Sequence, residues 1–217
     1  SFNKVHPMSF ETDFIGLQNY SEIFANSEFW QSIGITLYFC IVSIAVQMVL
    51  GVLVAMLLNQ RFVGRGIVRA LILLPWAVPT IVNANLWNWI LNANYGILNR
   101  VLMKLGIISD SIAWLSDGST ALHMIILADT WRMLPLVVVM LLAGLQTVSK
   151  NVLEAAVVDG AGAWKRFWAV YMPALKPMIL VILVLRTIQA IRVFDIVYVL
   201  TKGGPANKTM VISFYSY

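Results

Sequence analysis

The sequence predicts an all-α, polytopic membrane helix bundle, and three observations carry that reading. Of its 217 residues, 60% are hydrophobic and only 12% are charged, about half the charge of an average soluble domain. Mean hydropathy is +0.82. The charges are clustered: no Asp, Glu, Lys, Arg or His falls between Glu28 and Arg61, nor between Arg69 and Arg100. Each gap exceeds the roughly 20 residues with which a helix crosses about 30 Å of hydrocarbon. Barrel strands would give short alternating segments instead.

Four crossings are expected, near Ser32–Leu58, Ala70–Leu91, Leu122–Thr147 and Pro177–Leu200. The first two are free of charge. The third carries His123, Asp129 and Arg132 near its start. The fourth carries Arg186, Arg192 and Asp195. Apolar runs at Leu136–Leu142 and Met178–Leu185 support both. No repeat or low-complexity stretch divides the chain, so 1–217 reads as a single transmembrane domain.

Charge asymmetry orients it. The 60–69 loop carries Arg61, Arg65 and Arg69 without an acid, and the 148–176 loop carries Lys150, Lys165, Arg166 and Lys176. By the positive-inside rule both lie in the cytoplasm. The 92–119 loop is mixed and the leading segment is acidic, with Glu11, Asp13, Glu22 and Glu28. Four crossings then place both visible termini on the outer side. The chain begins at Ser1 without a secretory pattern, and Thr209–Tyr217 turns apolar and aromatic. The expectation is a fragment, truncated at both ends, of a subunit with about six crossings.

Polar groups within the apolar spans are the candidates for function. Pro75 and Pro79 sit in the second crossing, where each removes a backbone donor. They make either a packing kink or a broken helix whose freed carbonyls line a solute path. Asn83, Asn85, Trp87, Asn88 and Trp89 follow, a set suited to hydrogen-bonding and stacking on a polar solute; interface anchoring explains the tryptophans equally well. Arg186, Gln189, Arg192 and Asp195 recur every third residue on the fourth crossing. They form a slanted stripe, with Arg192 and Asp195 near enough to pair. The stripe is either structural or part of a solute path or gate. Asp129 and Arg132 repeat that spacing nearer the outer end, where a structural role leads.

Smaller features add little chemistry. Gly51 and Ala55 are a small-xxx-small pair suited to helix contact. Cys40 is alone, so no disulfide framework exists. His6 and His123 lack nearby ligand partners, and no metal site is expected. No nucleophile–base set or metal cluster supports an enzyme.

The 148–176 loop is the most informative segment. Val152–Val158 suits a short helix with Leu153, Ala156 and Val157 on its apolar side, and Ala163–Tyr171 suits a second with Trp164, Phe167 and Trp168. Gly160 and Gly162 permit a sharp turn between them. Glu154 and Asp159 offer charge to a partner, while Ala155 and Ala156 let one approach the backbone. Pro173 and Pro177 are expected to end the unit.

Glu154-Ala155-Ala156, then Asp159-Gly160-Ala161, then Val170, Met172 and Pro173 resemble the cytoplasmic loop of permease subunits in binding-protein-dependent ABC importers. That family's pattern ends in Ile-x-Leu-Pro, and both departures here keep apolar character. Gly16-Leu17-Gln18-Asn19-Tyr20, Leu74-Pro75-Trp76, Phe194-Asp195 and Leu200-Thr201-Lys202-Gly203-Gly204-Pro205 extend the resemblance to the sugar-type branch, similar to maltose and glycerol-phosphate permeases.

The resemblance implies an inner-membrane permease of a prokaryote. An ATP-binding cassette ATPase dimer docks on the loop, through Glu154, Ala155, Ala156, Asp159, Gly160, Ala161, Phe167 and Pro173. A second permease subunit completes the path, and an extracytoplasmic solute-binding protein delivers solute. The chain itself holds no cofactor and meets no nucleic acid; ATP and Mg belong to the ATPase. No Gly-x-x-x-x-Gly-Lys-Ser/Thr loop occurs in the sequence. A carbohydrate is the expected solute, with glycerol phosphate or amino acids as alternatives. A stand-alone secondary transporter using the Arg186–Asp195 stripe is the rival mechanism.

Overall fold

The computed structural model describes residues 2–5, 12–60 and 62–217; His6, and Glu11 and Arg61 from the charge argument, lie outside them. A short antiparallel hairpin, β1 (Asn3–Val5) with β2 (Thr12–Phe14), opens the described chain with Asn3 opposite Phe14. Helix α1 (Gln18–Ala25) leads into α2 (Ser27–Asn59), which starts where the Asn26 side chain accepts from the Glu28 amide at 2.8 Å. At about 1.5 Å per residue α2 is long enough to cross hydrocarbon with turns to spare.

The expected second crossing is not one straight helix. It divides into α3 (Arg65–Ala77) and α4 (Thr80–Ile90), bent by 97°. The cause is local. Val78 precedes Pro79, and a residue before proline is pushed out of the helical region; Val78 sits at φ −76°, ψ 126°. Pro75, by contrast, is carried within α3. Of the two alternatives for the proline pair, the broken helix is the one observed, and Pro79 makes the break.

Helix α5 (Ile97–Lys104) lies in the following loop, tied by Asn99, whose side chain meets Ala93, Ser111, Ile112 and Trp114. The central helix is α6 (Gly118–Gln146), started by Asp117 and starting four residues earlier than expected. Gly51 of α2 lets it approach: a Cβ there would stand 2.6 Å from Val137 Cγ1 and 3.2 Å from Leu141 Cδ1. Two apolar clusters hold the bundle. One joins Phe39, Ile44, Ala84, Ile125, Ala128 and Ile196; the other joins Ala55, Leu58, Val137, Leu141, Leu175 and Ile182.

After α7 (Lys150–Val158), helix α8 (Ala163–Arg166) passes through a π turn (Phe167–Tyr171) into α9 (Met172–Ile191) without interruption. Pro173 and Pro177 therefore do not end the loop unit. A wider turn, in which the Met172 amide reaches back to Phe167 O, leads directly into Pro173, which has no amide of its own to donate.

The fourth crossing also ends early. Helix α9 stops at Ile191, and after Arg192–Phe194 a separate short helix, α10 (Asp195–Leu200), begins. Asp195 occupies its first turn, where a carboxylate meets the positive end of the helix. Finally α11 (Ile212–Tyr215) folds back on α2: the Ile212 amide donates to Thr36 Oγ1 at 2.8 Å.

Among the described residues, three helical stretches are long and apolar enough to span a membrane by themselves, Ser27–Asn59, Gly118–Gln146 and Ala163–Ile191, and the bent pair α3–α4 passes the same test only when taken together. The all-α membrane-bundle reading holds, with three such spans and a fourth where the bent pair counts as one. Its second and fourth members are irregular.

Candidate functional site

Where α2, α6 and α9 meet, the apolar interior is interrupted by one polar knot. Arg186 on α9 is 2% exposed. Its Nε donates to Gln47 Oε1 (2.7 Å), its Nη1 to Gln189 Oε1 (2.8 Å) and its Nη2 to Asp129 Oδ2 (2.8 Å). Gln47 Nε2 donates to the same carboxylate oxygen at 3.1 Å. Asp129 is therefore not a peripheral outer group. It is the counter-ion of the buried arginine, and Gln47, hidden in a run without charges, holds both.

The knot floors a cleft of about 270 Å³ lined by Thr80, Asp129, Arg132, Met133, Arg186, Gln189, Arg192, Phe194 and Asp195 among others. Three arginines face two carboxylates. The break after Ile191 places Asp195 at this cleft from α10 rather than from a continuous stripe, and among the described residues no ion pair joins Arg192 to Asp195. Both are left lining the opening. Thr80 enters from the first turn of α4, delivered by the bend at Pro79.

The structure thus brings Arg186, Gln189, Arg192 and Asp195 together. It does not bring Pro75, Trp87 or Asn88 to the same cleft. Trp87 packs on the Phe39–Ile125 cluster and meets Trp131 edge to face at 6.3 Å between centroids. Asn88 is half-buried on α4. Arg132, expected to be structural, also lines the cleft, and Gln47 and Thr80 join the site without having been singled out. Only their polarity inside apolar runs marked them.

The second candidate surface is the 148–176 hairpin. The Ser149 side chain caps α7 by accepting from the Asn151 amide at 3.3 Å. At the other end Gly160 takes φ +71°. The Gly160 amide bonds Val157 O (3.0 Å) and the Ala161 amide bonds Ala156 O (2.9 Å), the paired closure that a left-handed residue after a helix allows. Leu153 and Ala156 turn half-inward; Glu154, Ala155, Asp159, Val157 and Val158 are exposed, Val158 at 86%. Beneath α7 a cleft of about 430 Å³ runs between Met56, Asn59, Gln146, Lys150 and Tyr171. On the other arm Phe167 is half-buried, stacked on Trp164 at 6.1 Å and edge-on to Trp168 at 5.2 Å. Pro173 is exposed in the first turn of α9.

Residues 47–217 match the model of a protein family, the inner membrane component of binding-protein-dependent transport systems. The chain belongs to this family. The permease is 44% identical over 207 residues to the trehalose/maltose transport system permease protein MalF of Thermococcus litoralis, covering 95% of this chain and 70% of that protein. It is 36% identical over 203 residues to the sulfoquinovosyl glycerol transport system permease protein SmoG of Agrobacterium fabrum, covering 94% of this chain and 65% of that one. It spans about two thirds of the length of these relatives. Among solved structures it is similar to a bacterial ABC transporter involved in the import of the acidic polysaccharide alginate. That match has a TM-score of 0.84 at 25% identity and covers 97% of this chain and 74% of the other.

Proposed function

We propose that this permease forms, with a second permease subunit, the translocation path for a carbohydrate, and that the path is driven by ATP hydrolysis on separate ATPase subunits. Similarity to permeases of trehalose/maltose and sulfoquinovosyl glycerol systems supports a carbohydrate over an amino acid or another solute. The polar cleft at the Arg186–Asp129 knot is the solute path, offering carboxylate, guanidinium and carboxamide groups to sugar hydroxyls. An extracytoplasmic binding protein delivers solute from the outer side, and ATP with Mg resides on the ATPases.

The observation that carries this reading is α7. It is a short helix, closed at both ends, without a buried residue, that presents Glu154, Ala155 and Asp159 away from the bundle. Docked on an ATPase in the cytoplasm, it moves as that subunit closes. Through Leu153 and the contiguous α8–α9 helix, the motion reaches the helix that holds Arg186.

The test uses the assembled transporter with Glu154→Arg. Solute-stimulated ATP hydrolysis and uptake both fall, and the ATPase dissociates more readily from the permease. Full activity in this variant, or uptake that follows membrane potential without an ATPase, rules the docking role out.

A further inference from the structure

Among the described residues that line the cleft at the Arg186–Asp129 knot, Phe194 is the one aromatic side chain, and Gln189, Arg192, Asp195 and Thr80 line it with Phe194. Phe194 is half-buried and stands just beyond the end of α9, where the chain breaks before α10. Behind it lies an aromatic cluster. The ring centroids of Phe194, Tyr198, Phe214 and Tyr217 are 5.3–6.5 Å apart in every pairing. Tyr198 and Phe214 are inclined to the Phe194 ring by only 21° and 26°, and their own centroids are 6.3 Å apart. Two rings on opposite faces of a third would be separated by two stacking distances, about 7 Å. Both therefore cover the same face. Tyr217 meets Phe194 edge-on and is 6.0 Å from Tyr198, so it lies on that side too. None of the three lines the cleft. The uncovered face of Phe194 is the one turned toward it.

That face is held in place by the fold itself. The Tyr198 amide donates to Phe194 O at 2.9 Å, and the Ser213 hydroxyl donates to the carbonyl of Val193. Gly203, at φ +79°, leaves room for the ring behind: a Cβ there would stand 2.8 Å from Phe214 Cε1. A ring fixed in this way loses little freedom on binding. The cleft is also divided in chemistry, with a flat apolar surface on one wall and carboxamide, guanidinium and carboxylate groups beside it. A pyranose ring is divided in the same way. Its C–H bonds make an apolar face, while the hydroxyls around its edge both donate and accept.

We propose that Phe194 is a stacking platform for one pyranose ring of the solute, taking its C–H face while Gln189, Arg192 and Asp195 hydrogen-bond the hydroxyls at its edge. The proposal rests on the reading of the cleft as a carbohydrate path, and it adds the side chain that recognises the ring itself.

The experiment is saturation-transfer NMR on the assembled transporter, with maltose and with trehalose as probes. Brief irradiation of the aromatic resonances of wild type reaches the C–H protons of one pyranose face more strongly than the remaining sugar protons. Phe194→Leu, which keeps apolar bulk without a flat ring, abolishes that asymmetry and weakens binding by about three- to tenfold, the range of a single aromatic contact. Phe194→Tyr restores both. Tyr198→Leu removes a ring from the cluster behind and leaves the asymmetry in place; if it abolishes the asymmetry as Phe194→Leu does, the role of Phe194 is packing and the platform is overturned. Asp195→Asn separates the platform from the reading it rests on. If Asp195→Asn weakens binding and Phe194→Leu keeps the wild-type pattern and affinity, the cleft remains the path and the platform alone falls. If neither variant alters binding, or wild type gives no transfer to either sugar, the carbohydrate reading of the cleft falls and the platform with it.

Discussion

Arg186 Nη2 and Asp129 Oδ2 stand 2.8 Å apart, on side chains 2% and 8% exposed, and so tie α9 to α6 in the middle of an apolar bundle. A lone charge in that setting is costly, and intramembrane ion pairs face a bundle interior or a wet cavity. This pair does both. Its backs are held by Gln47 and Gln189, and its front opens on the cleft that Arg132, Arg192 and Asp195 line.

Removing one partner strands the other. Asp129→Leu or Arg186→Met alone is expected to lower stability by about 3–5 kcal/mol, because a buried charge is left uncompensated. The double variant recovers much of that loss, since an apolar pair of similar volume has no charge to desolvate. Thermal unfolding in detergent of the four members of the cycle checks this. Purely additive losses would mean that the two groups do not stabilise each other.

How much of this was legible in the sequence differs by element. Charge-free runs between Glu28 and Arg61 and between Arg69 and Arg100 announced spans, because hydrocarbon tolerates little else. The break in the second span was open to two readings, and the constraint of Pro79 on Val78 decided it. The end of α9 was hidden because Val193 and Ile196–Leu200 continue the apolar run past Ile191. Asp195, read as a member of a stripe, was a helix-start signal. Gln47 was invisible for a different reason: one neutral amide among many apolar residues looks incidental until its partners, 82 and 139 residues away, fold against it. The hairpin, by contrast, was legible almost entire, since its glycine, caps and charges act locally.

Gly51 sets how closely α2 and α6 pack. A side chain larger than hydrogen meets Val137 and Leu141 of α6 at distances where something must shift. Gly51→Leu is expected to cost about 1–3 kcal/mol by overpacking, seen as a lower melting temperature. Pairing it with Val137→Ala restores part of the loss; no restoration would mean that the contact does not limit the approach.

The start of α6 depends on pH. Hydrogen bonds from the Ser119 hydroxyl, the Thr120 amide, the Thr120 hydroxyl and the Ser119 amide hold the Asp117 carboxyl down at about 2. Because the folded value lies below the ordinary one of about 4, the cap's contribution is fully present above that pH and is lost as pH falls through 2. Protection from hydrogen exchange at Ser119 and Thr120, taken relative to the intrinsic rate at each pH, should stay high at pH 5 and fall toward pH 2. Asp117→Ala should be poorly protected at both, and Asp117→Asn, which keeps an accepting oxygen, should lose the dependence on pH.

At Gly160 conformation and bulk separate cleanly. A Cβ there would meet nothing within 4 Å, yet φ is +71°. A defect in the isolated chain after substitution therefore reports backbone geometry rather than a clash within the chain. Asn enters the left-handed region far more readily than a β-branched residue. Gly160→Asn should keep the paired amides of Gly160 and Ala161 on Val157 and Ala156, and with them the direction in which α7 presents Glu154. Gly160→Val should lose that closure at a cost of about 1–2 kcal/mol, re-aim α7 and weaken solute-stimulated ATP hydrolysis in the assembled transporter. Equal activity in the two variants would mean that the turn does not direct α7. Equal loss would point instead to a partner seated against the glycine itself, in the space this chain leaves open.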